Sequence, residues 1–131
     1  MPSERKQIRD SIKSIIQSVY SGDIETSQAI APRDNSYVQV IFRDGLVEGD
    51  ALRKIQTAQI NITYALKLND DADLPTDDDL DEKSDEIQAA VYASELPDFV
   101  SGMTKIGFEY SFEVESNYTT LTTQHQITYR A

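Results

Sequence analysis

Seventeen residues from Asp70 to Glu86, DDADLPTDDDLDEKSDE, carry ten carboxylates against one lysine. Such a run can hold calcium, lie in solvent as an acidic spacer, or start a helix. An EF-hand loop needs oxygen ligands at its first, third, fifth and twelfth positions and glycine at its sixth. The best register starts at Asp71, with Asp73 third and Glu82 twelfth, but it puts Pro75 fifth and Thr76 sixth. Proline offers no side-chain oxygen and threonine cannot supply the turn, so the run does not encode that site. The helix reading has positive support. Thr76 can act as N-cap, Asp79 stands three residues on in the capping-box position, and Asp77, Asp78 and Asp79 fill a first turn whose unpaired N–H groups favour carboxylates. Asp79 and Lys83 are four apart, a supporting pair.

Other reactive groups are sparse. His125 is the single histidine and there is no cysteine, so one chain supplies neither a multi-histidine zinc site nor a thiolate nucleophile. His125 lies in a Thr/Gln-rich stretch without an acidic neighbour in sequence. It shares parity with Leu121, Ile127 and Tyr129, which puts it at the core or its margin as a strand or interface residue. Glu113 and Glu115 share a strand face, as paired catalytic acids do, but a solvated or subunit-facing surface requires the same parity. No glycine-rich segment ends in the Gly-Lys-Ser/Thr of a phosphate-binding loop. The residues therefore predict a protein that is not an enzyme and takes no cofactor or metal. More informative are two rows of uncharged hydrogen-bonding groups: Gln59, Asn61 and Thr63, then Thr120, Thr122, Gln124, Gln126 and Thr128. Each is either a wet sheet face or a face that packs on another subunit and fixes its register.

The elements that position these groups follow from periodicity. From Gln7 to Tyr20, Ile8, Ile12, Ile15, Ile16 and Val19 form one helical stripe, ending near Gly22 as a left-handed cap. Arg5, Lys6, Arg9 and Lys13, interrupted by Glu4 and Asp10, read as the wet side of that helix. Residues 21–36 read as a long connection. YVQVIF (37–42) reads as a strand, Asp44–Gly45 as a turn and 45–52 as a broad loop. Between Arg53 and Leu68, Ala58, Ile60, Ile62, Tyr64, Leu66 and Leu68 alternate with polar residues, giving one buried and one polar face. A second helix runs to about Ser94, with Leu80, Ser84, Ile87, Val91 and Ser94 facing the core, and Pro97 blocks its continuation. Phe99 and Val100 fill a core edge. From Lys105 to Glu115, Ile106, Phe108, Tyr110, Phe112 and Val114 share one parity. Ser116–Asn117 marks a turn before a last strand near Thr119–Arg130. The fold class expected is α+β: an antiparallel or mixed four-stranded sheet with two helices packed on one face, in the order helix-strand-strand-helix-strand-strand, burying every apolar stripe. Residues 1–131 read as a single domain without repeats or an interdomain linker.

The chain of 131 residues has a formal net charge of -11 and a pI near 4.3. That disfavours non-specific nucleic-acid binding, because phosphates attract basic surfaces. MPSERKQIRD lacks the apolar region of a signal peptide, and no run is long and apolar enough to span a bilayer. A soluble, non-secreted protein without membrane or specific nucleic-acid partners is the expectation.

The proline-led acidic entry LPTDDDLDEKSDEIQAAVY, the connection ELPDFVSGM, the strand IGFEYSFEV and the closing strand LTTQHQITYR resemble the tail terminator proteins of long-tailed bacteriophages. The resemblance covers about the last 65 residues, and by element order the whole chain; residues 21–35 have no counterpart in it. It implies a small α/β subunit of a homo-oligomeric, hexameric ring in the virion tail, assembled in the host cytoplasm. Its partners would be the tail tube protein and a head-side connector protein, and its function would be to stop tube growth and contribute to head–tail joining. On this reading Arg43, Arg53 and Lys54, with Gln59, Asn61 and Thr63, contribute subunit or tube contacts. The alternatives are a head–tail joining or tail completion protein of another class, or a soluble monomeric protein-binding adaptor.

Overall fold

A computed structural model describes residues 3–27, 35–48, 55–68, 77–113 and 117–130. Helix α1 (Glu4–Ile16) starts at Ser3, whose hydroxyl accepts the Lys6 amide at 3.1 Å and satisfies one of the unpaired first-turn donors. Ile8, Ile12 and Ile16 are fully buried along one face, with Ile15 and Val19 packed at its margin. The left-handed cap expected at Gly22 does not form. The helix closes at Gln17 in right-handed conformation, and the Tyr20 amide returns to the Ile16 carbonyl at 2.9 Å. A Cβ at Gly22 would instead meet the Tyr20 phenol, whose hydroxyl pairs with Ser36 Oγ at 2.7 Å.

Helix α2 (Asp77–Ala93) has Asp77, Asp78 and Asp79 in its first turn. Thr76 lies outside the described residues. Leu80, Ser84, Ile87 and Val91 are buried as the spacing predicts, whereas Ser94 is exposed beyond the helix end, its hydroxyl donating to the Ala90 carbonyl. Lys83 bonds Glu86 Oε2 at 3.1 Å and the Val19 carbonyl at 2.9 Å, so it ties α2 to the end of α1.

The sheet corrects the expected architecture. Among the described residues it has five strands: β1 (Asp23–Glu25), β2 (Ser36–Glu48), β3 (Ile55–Lys67), β4 (Val100–Glu113) and β5 (Tyr118–Arg130). Their spatial order is β1-β2-β3-β5-β4, with β1 parallel to β2 and every other pair antiparallel. The chain order is therefore helix, three strands, helix, two strands, not the predicted helix-strand-strand-helix-strand-strand. The added strand hides in the expected connection because three residues with one buried side chain, Ile24, carry no alternation to read. The turn expected at Asp44–Gly45 is a bulge: β2 shifts register between Phe42 and Asp44 and runs on to Glu48. Gly45 is required there, since a Cβ would lie 3.0 Å from both the Ala58 Cβ and the Thr57 carbonyl oxygen. Asn117, at the expected turn before β5, adopts φ 63°, and its side-chain amide donates to the Leu68 carbonyl at 2.9 Å.

Both helices pack on one face of the sheet, α1 against β2 and α2 against β3 and β5. Val38, Val40, Ala58, Ile60, Ile62, Leu121, Ile127 and Tyr129 close the core with the helical stripes. The β4 stripe does not join them. Phe108, Tyr110 and Phe112 stand opposite Thr123, Leu121 and Thr119 on the helix side, yet are 61%, 40% and 48% exposed. A bulge between Lys105 and Gly107 also breaks the expected parity, placing Ile106 on the other face beside Gln59 and Gln126. The expectation that two helices bury every apolar stripe therefore fails at β4. Truncating Ile60, buried in the central strand, is expected to cost about 2–5 kcal/mol. Phe108→Ala should cost less than about 1 kcal/mol, because its ring faces solvent. Urea midpoints of the two variants against the parent check the contrast; equal losses would mean that Phe108 is a core residue.

Candidate functional site

The sheet face turned away from the helices is built from the uncharged polar rows. Antiparallel register sets Thr57 opposite Thr128, Gln59 opposite Gln126, Asn61 opposite Gln124 and Thr63 opposite Thr122. The side chains bond one another: Thr63 Oγ1 to Thr122 Oγ1 at 2.7 Å, and Gln59 Nε2 donating to Asn61 Oδ1 at 2.9 Å. Each polar residue thus meets a polar neighbour across or along the strands, the arrangement in which such pairs add to sheet stability.

This face is concave. Asn61, Thr63 and Thr120 are only 7%, 8% and 3% exposed although neither helix lies on their side of the sheet. At its end Tyr37, Ala65 and Tyr118 form a second small core, with the two phenol rings edge to face at 5.0 Å. Tyr37 on β2 donates to Glu113 Oε1 on β4 at 3.5 Å. In a flat sheet those strands, three spacings apart, would be separated by about 14 Å, so the contact requires strong curling. Burial, reinforced by the Glu113 carboxylate, pushes the Tyr37 phenol well above its ordinary range. The curl leaves a groove of about 260 Å³ lined by all four long strands, including Gln39, Ile41 and Arg43 of β2 and Glu109, Ser111 and Glu113 of β4.

Of the residues singled out from sequence, Arg43, Asn61 and Thr63 line this groove together, and Gln59 continues the row into a neighbouring hollow. Arg43 is a strand residue at the β2 bulge rather than a neighbour of a loop. Arg53 and Lys54 lie outside the described residues, as does Glu115. Sequence reasoning did not find the β4 contribution, Glu109 and Ser111, because only the strand order brings β4 round to face β2. Glu113 shares sequence parity with Glu115, a signal that says nothing of Tyr37.

His125 is fully buried on the opposite, helix-side face, as its parity suggests. Its Nδ1 lies 2.7 Å from the Tyr92 hydroxyl and its Nε2 2.8 Å from Thr123 Oγ1. Thr123 donates to the Ile62 carbonyl at 3.3 Å, so its oxygen accepts from Nε2–H and the Tyr92 hydroxyl donates to Nδ1. Both ring nitrogens are committed in one directed chain, which pins the last turns of α2 to β5. Burial lowers the imidazole from 6.5 to about 4, with the Lys105 ammonium adding to the effect. On the same side, the Tyr110 hydroxyl donates to Asp81 Oδ1, and that bond pushes the phenol up to about 12. Among the described residues, no group of three or more His, Asp or Glu is placed to hold a metal ion, and no helix is long and apolar enough to cross a membrane.

The chain has the same fold as a solved neighbour. It is similar to a chain in the virion of a native gene transfer agent particle, with a TM-score of 0.65, 8% identity, and 96% of each chain covered. At that identity the likeness is one of fold. No family model and no curated protein matches the chain.

The buried histidine makes a pH prediction. Below pH 6.5 the unfolded chain takes up a proton that the folded imidazole refuses until about pH 4. Stability from this group is therefore intact above pH 6.5 and falls as the pH drops through that window, by about 2–3 kcal/mol at pH 4.5. Urea unfolding at pH 7 and pH 4.5 should show the parent losing about that much more than His125→Gln, the titrating carboxylates being common to both. Equal losses would mean that His125 is not held neutral.

Proposed function

We propose that this chain is a structural protein of a phage-like virion, and within it a ring-forming subunit that caps the tail tube. The observation that carries the reading is the fold shared, end to end, with a chain of a gene transfer agent virion. The residue-level resemblance to tail terminators, the minor tail protein U of phage lambda among them, directs it to the tube end. The ring stops polymerisation of the tube protein and contributes to head–tail joining, so the role is geometric and non-catalytic. A closed ring with two different faces can bind tube on one side and connector on the other. The long open edge of β4 and the groove-lined concave face support it as surfaces available to neighbours. The fold likeness equally favours another head–tail joining or tail completion protein, which would share virion partners but not the tube end.

Native mass measurement and negative-stain images of the chain with purified tail tubes separate these. Assemblies near six times 14.7 kDa and tubes capped at one end are expected. A chain that never associates with tube ends would sink the capping role. Charge reversal of Arg43, Arg53 and Lys54 together is expected to weaken capping or ring formation, and intact capping by that variant would remove those residues from the contact.

A further inference from the structure

The aromatic row of β4 and the flank of α2 beside it form a surface that the polar groove does not explain. Phe108, Tyr110 and Phe112 point to the helix side, largely exposed, on a 14-residue strand whose outer edge ends the sheet. Asp81 and Asp85 of α2 wall the hollow over Phe108 and Tyr110, a cavity of about 220 Å³ whose third charged lining residue is Lys105 of β4, so its carboxylates outnumber its cation two to one. Altogether α2 carries seven acids against one lysine. The opposite end of the helical layer has the reverse charge, since α1 carries four bases, Arg5, Lys6, Arg9 and Lys13, against two acids.

We infer that the β4–α2 hollow receives the α1 face of a second copy of this chain, joining copies head to tail. Three observations converge. A floor of aromatic rings beside carboxylates is the chemistry that takes arginine and lysine: the cation lies over the ring and its charge meets the acid. The chain already uses the first half of that pairing internally, with Arg9 over the Phe42 ring and Lys105 over the Phe108 ring, each 5.7 Å from the centroid. A two-fold contact through β4 would instead set two α2 flanks together and oppose Asp81 and Asp85 to their own copies, a like-charge juxtaposition that disfavours it. Basic and acidic flanks at opposite ends make the contact heterologous, and repetition of a heterologous contact closes a ring when the rotation permits. The inference rests on the ring reading for its purpose, but its test needs no tail tube.

The test uses two full-length variants. Arg5→Glu with Lys6→Glu makes both flanks acidic; these positions are in the first turn of α1, where carboxylates suit the helix end. Asp81→Lys with Asp85→Lys replaces both carboxylates of the hollow by ammonium groups beside Lys105, so the hollow becomes basic like α1. Each is first shown to keep the parent's circular dichroism and cooperative melting. Sedimentation and native mass spectrometry should find that the parent self-associates and that each variant alone does so about tenfold more weakly or worse. The equimolar mixture should recover assemblies in which the two variants alternate, because every junction then pairs opposite charges. Folded variants that associate like the parent would overturn this contact while leaving a ring built elsewhere intact. So would a mixture that stays dissociated, or a parent that remains monomeric at all concentrations. Failure of the parent to cap tubes, with alternating recovery intact, would overturn the tail role and leave the contact standing.

Discussion

Strand β3 is paired along its whole length on both sides, antiparallel to β2 and to β5. Its side chains cannot shift by one residue without exchanging faces, so the two ladders fix what every other element meets. Ala58, Ile60, Ile62 and Tyr64 are held towards the helices, and Gln59, Asn61 and Thr63 towards the polar rows of β5. The helical core and the concave groove are two sides of one register. A one-residue slip would bury the amides under α2 and turn the isoleucines outward.

Curling then decides which residues are sheltered and which stay exposed. The sheet bends towards its polar face far enough for Tyr37 of β2 to reach Glu113 of β4. The same bend makes the helix side convex, so its outer strand falls away from a layer only two helices wide. One deformation thus shelters Asn61, Thr63 and Thr120 where neither helix lies and strips Phe108, Tyr110 and Phe112 of cover although α2 lies near. Register shifts at Phe42/Asp44, Val100/Gly102 and Lys105/Gly107 add to that curvature, as bulges increase local twist and bend the strand carrying them. Polar burial without a facing layer and apolar exposure beside a helix are therefore not separate anomalies.

This explains what the sequence could disclose. The stripes of α1 and α2 and the alternation of β3 were legible, because burial there depends on neighbours one turn or two residues away. The row Gln59, Asn61 and Thr63 was legible for the same reason. Three features were not. β1 is too short to show a period; the Asp44–Gly45 dipeptide signals a turn and a bulge alike; and the apolar parity of β4 is identical whether the strand packs under a helix or stays exposed. The partners of His125 were also hidden, since Tyr92 is 33 residues away and meets it only through the packing of α2 on β5. Hydropathy reports that a face avoids water, not which body covers it.

The acidic run bears on the proposed contact between copies through this geometry. Without residues 70–86 the chain carries thirteen acids and eleven bases, so almost all its excess charge belongs to one segment. The carboxylates at the start of α2 favour the helix end, but a net charge of -11 repels any second copy at long range. At physiological ionic strength the screening length is about 8 Å. Repulsion between whole subunits is then largely damped, while groups in direct contact still feel one another. The sign of the charge at the contact, not the net charge, decides the outcome. A protein with its acids spread evenly would meet like charge in every orientation. Concentrating them on α2, beside aromatic rings and away from the bases of α1, leaves orientations in which unlike flanks meet and penalises those in which α2 faces α2. At the proposed contact the acidic segment thus acts on orientation rather than on long-range repulsion.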